Sequence, residues 1–319
     1  VQLLKAQSTF RINYDVALFD IPVVSTEALT PGNYLFSGFH ANFIPFVSSL
    51  TEVDGSGNVV WSKRYSGGIA YMFGDVKKDN TLNRYYACGG DDGGPAFLLF
   101  LDATGNLILG RNFSISQATG AFFNRVQKTI DGGYVCVGYV TGHNPGGGET
   151  NFVSVTNSQT SCSSSSTETI QSPLIVKFDA SGNVLWHHVF RYYAGSVAAG
   201  NRIYNDGAFV DVVEVSDGYV ATGNYDVNNA FSSYDSDDCD DTTPTDAMFL
   251  KTTTAGAITY HRQLDNPSTS TSQSSKSNIS LSKTSGGQPI VALTDGASRP
   301  AHFMRLPNSG GWSIEWERK

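Results

Sequence analysis

Short apolar stretches alternate with glycine-rich polar turns along this chain, and the alternation repeats. Val53-Asp-Gly-Ser-Gly-Asn-Val-Val-Trp61 is followed by Leu101-Asp-Ala-Thr-Gly-Asn-Leu-Ile-Leu109 and Phe178-Asp-Ala-Ser-Gly-Asn-Val-Leu-Trp186. Weaker copies stand at Thr253–Tyr260 and Pro307–Ile314. Each reads as a strand, a tight turn and a second strand. The Asp side chain bonds its own following backbone, and Gly supplies the positive φ that closes the turn. A second element precedes each copy: Gly32–Gly38, Arg84–Gly89, Asp131-Gly-Gly-Tyr-Val-Cys-Val-Gly138, Asp217–Gly223 and Gly287–Leu293. One more short strand stands ahead of these, as at Asn124–Thr129 and Val210–Val215. The unit is four strands, a-b-c-d.

The turn glycines Gly57, Gly105, Gly182, Gly256 and Gly310 are separated by 48, 77, 74 and 54 residues. The two long intervals hold polar insertions at 141–172 and 226–246. Without them the period is near the about 40–50 residues of a propeller blade. The expected fold is all-β, a single β-propeller spanning 1–319 with blades at 20–65, 72–113, 122–190, 207–264 and 277–318. Residues 1–15 resemble a c–d pair lacking its a and b strands, an outer half blade. A six-bladed ring with one incomplete or split blade is favoured over a five-bladed ring with an extra hairpin. An open stack of sheets would leave edges exposed to aggregation.

Charged residues make up 16%, the net charge is −8, and no Lys/Arg cluster stands out. This disfavours a nucleic-acid surface, which needs concentrated positive charge. The longest apolar run, Ala96–Leu101, is strand-sized, so no transmembrane segment is expected. The chain opens at Val1 inside a strand-like segment, which suggests a removed export signal or a missing upstream part. Asn112-Phe-Ser114 and Asn278-Ile-Ser280 match the glycosylation acceptor pattern.

The pattern D-G-G-Y-x-V-x-G, an apolar strand, then D-x-x-G-N-x-x-W resembles a group of bacterial propeller repeats common in exported Bacteroidota proteins. Asp131–Gly138 with Leu174–Trp186 is the cleanest match. The resemblance implies a secreted or cell-surface location. The D-x-x-G-x-x-x-W element is also similar to the tryptophan-docking repeat of pyrroloquinoline-quinone dehydrogenases. Cys88, Cys136, Cys162 and Cys239 are isolated, without those enzymes' adjacent cysteines, so that likeness implies shared blade architecture only.

If strands alternate in direction, the short a–b and c–d turns share one face, and the longer b–c and d–a connections share the other. The b–c set comprises His40–Phe46, Asp91–Pro95, Thr141–Ser172 and Asp226–Asp246. The d–a set comprises Ser66–Phe73, Ser114–Ala121, Arg191–Asp206 and Asp265–Ser277. Variable loops on a rigid scaffold are where recognition usually sits; the plainer view is that long surface loops cost little. Arg191, Tyr192, Tyr193, Arg202 and Tyr204 are binding candidates for a sugar or protein partner, against the reading that they pack the loop onto the blade. Asp235, Asp237, Asp238, Asp240 and Asp241 are hard-oxygen candidates for Ca²⁺, the one cofactor considered, against a solvated acidic loop. Cys162 and Cys239 lie in insertions of neighbouring units and are candidates for a disulfide. Cys88 and Cys136 read as buried apolar residues. The b-strand ends carry His40, Asp91, Asp226 and Asp295, weak catalytic candidates at one rim. Asp54, Asp102 and Asp179 read as turn residues, and His187, His188 and His261 as edge residues of d strands. The main functional expectation is a non-enzymatic binding module with a protein or glycan partner on the loop face. The alternatives are a carbohydrate-active enzyme, glycosidase or lyase, at the central opening, and a structural spacer.

Overall fold

The computed structural model describes residues 23–29, 32–40, 47–65, 72–91, 93–116, 118–141, 150–153, 171–194, 203–205, 207–226, 245–264, 279–294, 301–306 and 316–318. Among them there are strands and turns and no helix. The chain divides into two compact units, Val1–Gly90 with Phe97–Asn112, and Asp91–Ala96 with Phe113–Lys319.

The strands form five antiparallel meanders of four. The first is β1 (Val23–Ala28), β2 (Tyr34–His40), β3 (Val47–Val53) and β4 (Val59–Tyr65). The second is β5 (Met72–Asp79), β6 (Arg84–Asp91), β7 (Ala96–Leu101) and β8 (Leu107–Phe113). The third is β9 (Gly120–Lys128), β10 (Tyr134–Thr141), β12 (Gln171–Phe178) and β13 (Val184–Ala194); the short β11 (Thr150–Val153) and β14 (Ile203–Asn205) pair with β13. The fourth is β15 (Gly207–Val215), β16 (Gly218–Asp226), β17 (Thr245–Thr253) and β18 (Ile258–Leu264). The fifth is β19 (Ile279–Lys283), β20 (Pro289–Thr294), β21 (Ala301–Arg305) and β22 (Trp316–Arg318).

The repeated turn is built by its Asp. Asp54 Oδ1 accepts from the backbone N–H of Ser56 (2.9 Å) and Asn58 (2.8 Å), and Oδ2 from Asn58 Nδ2 (3.0 Å). Asp102 and Asp179 do the same with their own i+2 and i+4 residues. Gly57, Gly105 and Gly182 take φ of 87°, 80° and 77°. In the degenerate copy, Thr253 Oγ1 replaces the carboxylate and accepts from Ala257 N–H at 3.0 Å. These three carboxylates serve their turns, as the sequence reading expects.

The core lies between successive sheets. In the first unit, Leu35 and Leu50 pack with Phe73, Tyr85, Phe97 and Leu99, flanked by Trp61 and Tyr65. In the second unit, Val135, Ile175 and Phe190 of the third meander pack with Phe209, Tyr219, Met248 and Leu250 of the fourth. The opposite face of the fourth, through Val213, Val220 and Phe249, packs on Leu281 and Val291 of the fifth. A sheet covered on both faces needs central strands that are apolar at every position, which is why Ala96–Leu101 is buried throughout. Each such side chain contributes about 1.5–3 kcal/mol.

Tryptophans of the fourth strands interlock neighbouring sheets. A Cβ on Gly105 would stand 2.6 Å from Trp61, and one on Gly256 would stand 2.7 Å from Trp186. Tyr65 OH donates to Gly105 O at 2.5 Å, and Trp186 Nε1 to Thr254 O at 3.1 Å.

Candidate functional site

The second strands of the meanders run to the loop-bearing end, and four of them finish at a candidate residue or one short of it. His40 ends β2, Asp91 ends β6 and Asp226 ends β16, while Asp295 directly follows β20 and lies outside the described residues. Backbone pairing holds these ends: His40 is opposite Val47, and Asp226 is opposite Thr245. Near Asp91, Ala121 N–H donates to Gly94 O at 2.8 Å, tying the connection after β6 to the start of β9.

A bulge in the first strand shapes this end of the first four meanders. The register shifts between Phe73 and Asp75, at Asn124, and between Phe209 and Asp211. The bulge pushes a carbonyl toward the second strand. A Cβ on Gly138 would stand 1.9 Å from Phe122 O, and one on Gly223 would stand 2.1 Å from Ala208 O. The final glycine of D-G-G-Y-x-V-x-G is the residue that fits against a bulge.

Immediately after the bulges stand charged residues absent from the sequence-based candidates. In the first unit, Lys77 Nζ lies 2.7 Å from Glu27 Oε2 and 3.8 Å from the buried Asp75. In the second, Asp211, also buried, takes Arg125 Nε at 3.1 Å and the Leu281 N–H at 2.8 Å, while Asn124 Nδ2 donates to Phe209 O at 2.7 Å. First strands of neighbouring sheets lie against each other, β1 with β5, β9 with β15 and β15 with β19. These pairs clamp first strands of neighbouring sheets together. The available signal was a charge inside an otherwise apolar strand, as in Phe209-Val-Asp-Val-Val213.

The remaining polar clusters sit at the turn end. Glu52 is buried and accepts from Asn33 Nδ2 (2.6 Å), Trp61 Nε1 (2.8 Å) and Tyr85 OH (2.5 Å). Burial alone would raise its carboxyl, but these three donors outweigh it and the net shift is down. Lys177, buried in β12, donates to Thr129 Oγ1 (2.9 Å), Asp131 Oδ1 (3.0 Å) and Phe178 O (3.1 Å). Lys251 meets Asp217 at 2.8 Å in the same way. For Asp131, partial burial pushes up, but bonds from Thr129, Gly133 and Lys177 bring the carboxyl to about 2.

Of the binding candidates, Arg191, Tyr192 and Tyr193 are not in a loop. β13 continues to Ala194 because β11 pairs with it in parallel and β14 antiparallel, a segment rich in strand-forming aromatics. The register sets Tyr193 opposite Tyr204, and Phe152 opposite Tyr192. The connection expected over Arg191–Asp206 is thus strand at 191–194 and 203–205. Arg202, the five aspartates of 235–241, Cys162 and Cys239 lie outside the described residues. Cys88 and Cys136 are fully buried, as expected. No group of three or more metal-ligating side chains occurs among the described residues. Nor do those residues include a helix long and apolar enough to cross a membrane.

No family model and no curated protein matches the sequence. Solved structures do. Hydrazine synthase of Kuenenia stuttgartiensis is similar at 10% identity and a TM-score of 0.50, over 94% of this chain and 80% of that one. An endo-1,4-beta-xylanase from Bacteroides thetaiotaomicron is similar at 8% identity and 0.42, over 93% and 95%. An apocarotenoid oxygenase from Synechocystis follows at 10% and 0.42, over 92% and 61%. The expectation of a non-enzymatic binding module is corrected: the structure similar at a TM-score of 0.50 is that of a protein named as a synthase, and at 10% identity the likeness is one of fold.

Proposed function

We propose that this chain is an exported β-propeller enzyme acting on carbohydrate, a glycosidase or lyase, with its chemistry at the loop-bearing ends of the second strands. Six blades, one incomplete, is the preferred count. The observation that carries the reading is positional: β6 and β16 both end in an aspartate, and β20 is followed directly by one. All three residues belong to the second unit. The propeller form is supported by four-stranded meanders packed face to face, with their first strands side by side.

Glycoside hydrolysis needs two carboxyl groups across the scissile bond. One, protonated, gives its proton to the departing glycosidic oxygen. The other attacks the anomeric carbon or takes a proton from the attacking water, so the bond broken to the leaving sugar is replaced by one to oxygen. Asp91 and Asp226 are assigned these roles, and Asp295 is proposed to tune them. A lyase would instead take a sugar-ring proton beside a uronate carboxyl, and the C–H electron pair would form a C=C bond as the C–O bond to the departing sugar breaks and its oxygen takes up a proton. Tyr192, Tyr193 and Tyr204, on the ladder of β13 and β14, are proposed to present the sugar-stacking surface. Asp235, Asp237, Asp238, Asp240 and Asp241 are proposed as a Ca²⁺ site, and Cys162–Cys239 as a disulfide that staples the insertions.

A panel of polysaccharides, read for new reducing ends and for ultraviolet absorbance of unsaturated products, tests the assignment and separates the two reactions. Asp91→Asn and Asp226→Asn should each lower turnover by about 10²-fold or more with circular dichroism unchanged. Turnover untouched by either change would remove these residues from the mechanism.

A further inference from the structure

Hydrolysis and elimination ask for different sugars, and the loop-bearing end of the third meander discriminates between them. An elimination site has to hold a uronate carboxylate, for which Lys and Arg are the fitting side chains. The connections that follow the second strands in the second unit, 92–95, 142–170 and 227–244, carry eight carboxylates and no Lys or Arg. The described inner strands beyond the bulges, 120–123, 138–141, 207–209 and 223–226, add Asp226 and again no Lys or Arg. Arg125, the next residue inward but one, is engaged by Asp211 at 3.1 Å. Arg191 stands in β13, on the outer side of β12.

The same end carries an aromatic contact. The bond from Ala121 N–H to Gly94 O holds the segment after Asp91 against the start of β9. On their other side β9 and β10 pack against β15, the strand next to the one that ends in Asp226. The ends of β9 and β10 therefore stand between the two assigned aspartates. There Tyr139 lies directly opposite Phe122 of β9 and Pro173 of β12, and residues so paired share a face. By period two it is also the face of Val135 and Val137, which pack with Phe209. The Tyr139 and Phe122 rings stack with centroids 5.7 Å apart and planes inclined by 17°. Phe122 and Pro173 are buried, whereas Tyr139 is half-buried and reaches the solvent. Thr119, exposed at this end, donates from Oγ1 to Thr141 O at 3.1 Å, and its oxygen keeps acceptor capacity for a sugar hydroxyl.

We propose that the sugar lying between Asp91 and Asp226 is a neutral one, that Tyr139, backed by Phe122, is its contact on the third meander, and that the reaction is glycoside hydrolysis and not elimination. This rests on the carbohydrate reading above and narrows it. A neutral pyranose offers C–H groups to an aromatic side chain and hydroxyls to its phenol and to Thr119. A polyuronate would bring one negative charge with every sugar to a rim that is already anionic, on a chain of net charge −8.

The test is a calorimetric titration of the whole chain with cellohexaose, xylohexaose, mannohexaose and hexagalacturonate, each in Ca²⁺ and in EDTA. The chain carries Asp91→Asn to stop turnover, a change that also removes one negative charge and so favours the uronate. At least one neutral hexasaccharide should bind, and hexagalacturonate should not. Tyr139→Ala should weaken the neutral sugar by about tenfold, while Tyr139→Phe, which keeps the ring, should stay within about threefold. Circular dichroism checks that both variants are folded. Thr119→Lys, at an exposed position, supplies an independent arm: it should create measurable binding of hexagalacturonate. No binding of any neutral sugar, stronger binding of the uronate with or without Ca²⁺, or affinity indifferent to Tyr139→Ala would overturn the proposal. Binding that depends on Tyr139, with no new reducing ends from the unsubstituted chain, would uphold the contact and remove the chemistry assigned to Asp91 and Asp226. Turnover whose KM ignores Tyr139→Ala would do the reverse.

Discussion

Single residues in this chain gain their properties from burial and from the donors that surround them. Burial lowers the His261 imidazole from 6.5 to about 4. Between those values the unfolded chain binds the proton and the folded chain does not. The stability contribution is therefore complete above about 6.5 and is lost as the pH falls toward 4. His261→Gln should flatten that stretch of a stability–pH curve measured by urea unfolding, leaving the neutral region little changed. Asp131 acts in a lower window, since its carboxyl is brought to about 2 from 3.8. Its contribution is present above 3.8 and fades as the pH drops toward 2. Lys177→Met should shrink the Asp131 step while leaving that of His261 intact. At Glu52 the three donors from β4, β6 and the β1–β2 turn converge on one buried carboxylate. Glu52→Ala would leave those donors unpaired and should destabilise the fold by about 2–3 kcal/mol.

At the scale of the element, each of the first four meanders is specified by a bulge and a turn. The bulge in the first strand needs a glycine opposite it, and Gly138 meets that need in the third meander. Gly138→Ala should cost about 3 kcal/mol, because the methyl meets a backbone carbonyl that cannot rotate away. The same change at the solvent-facing Gly93, with open space around it, should be nearly silent. Neighbouring elements are coupled by Arg125 and Asp211. Arg125→Leu should cost about 2–3 kcal/mol, and a double-mutant cycle with Asp211→Asn should show the two losses to be strongly non-additive. The tight turns were legible in the sequence because their causes are local: Asp reaches its own i+2 and i+4 backbone, and Gly takes positive φ. Strand lengths were less so. Arg191-Tyr-Tyr-Ala194 reads as a connection until β11 and β14, remote in sequence from each other, supply partners for it.

For the whole molecule, the polar insertions interrupt meanders whose registers do not depend on them. Asp226 and Thr245 already face each other across the gap that residues 227–244 bridge. Replacing those residues with a short Gly-Ser turn should change unfolding free energy by only about 1 kcal/mol. The same deletion should abolish any melting shift produced by Ca²⁺, which tests the cluster at Asp235–Asp241 apart from the fold. What the sequence determined by itself was the all-β class, the four-strand unit and the roles of Asp54, Asp102 and Asp179, because these follow from backbone preferences and period-two burial within a few residues. Tertiary structure alone decided that Asp75 and Asp211 are buried, that Glu52 gathers donors from two sheets, and that Trp61 and Trp186 close on glycines of the next sheet. Those outcomes depend on which faces of separate sheets come into contact, and no local preference encodes the identity of a partner dozens of residues away.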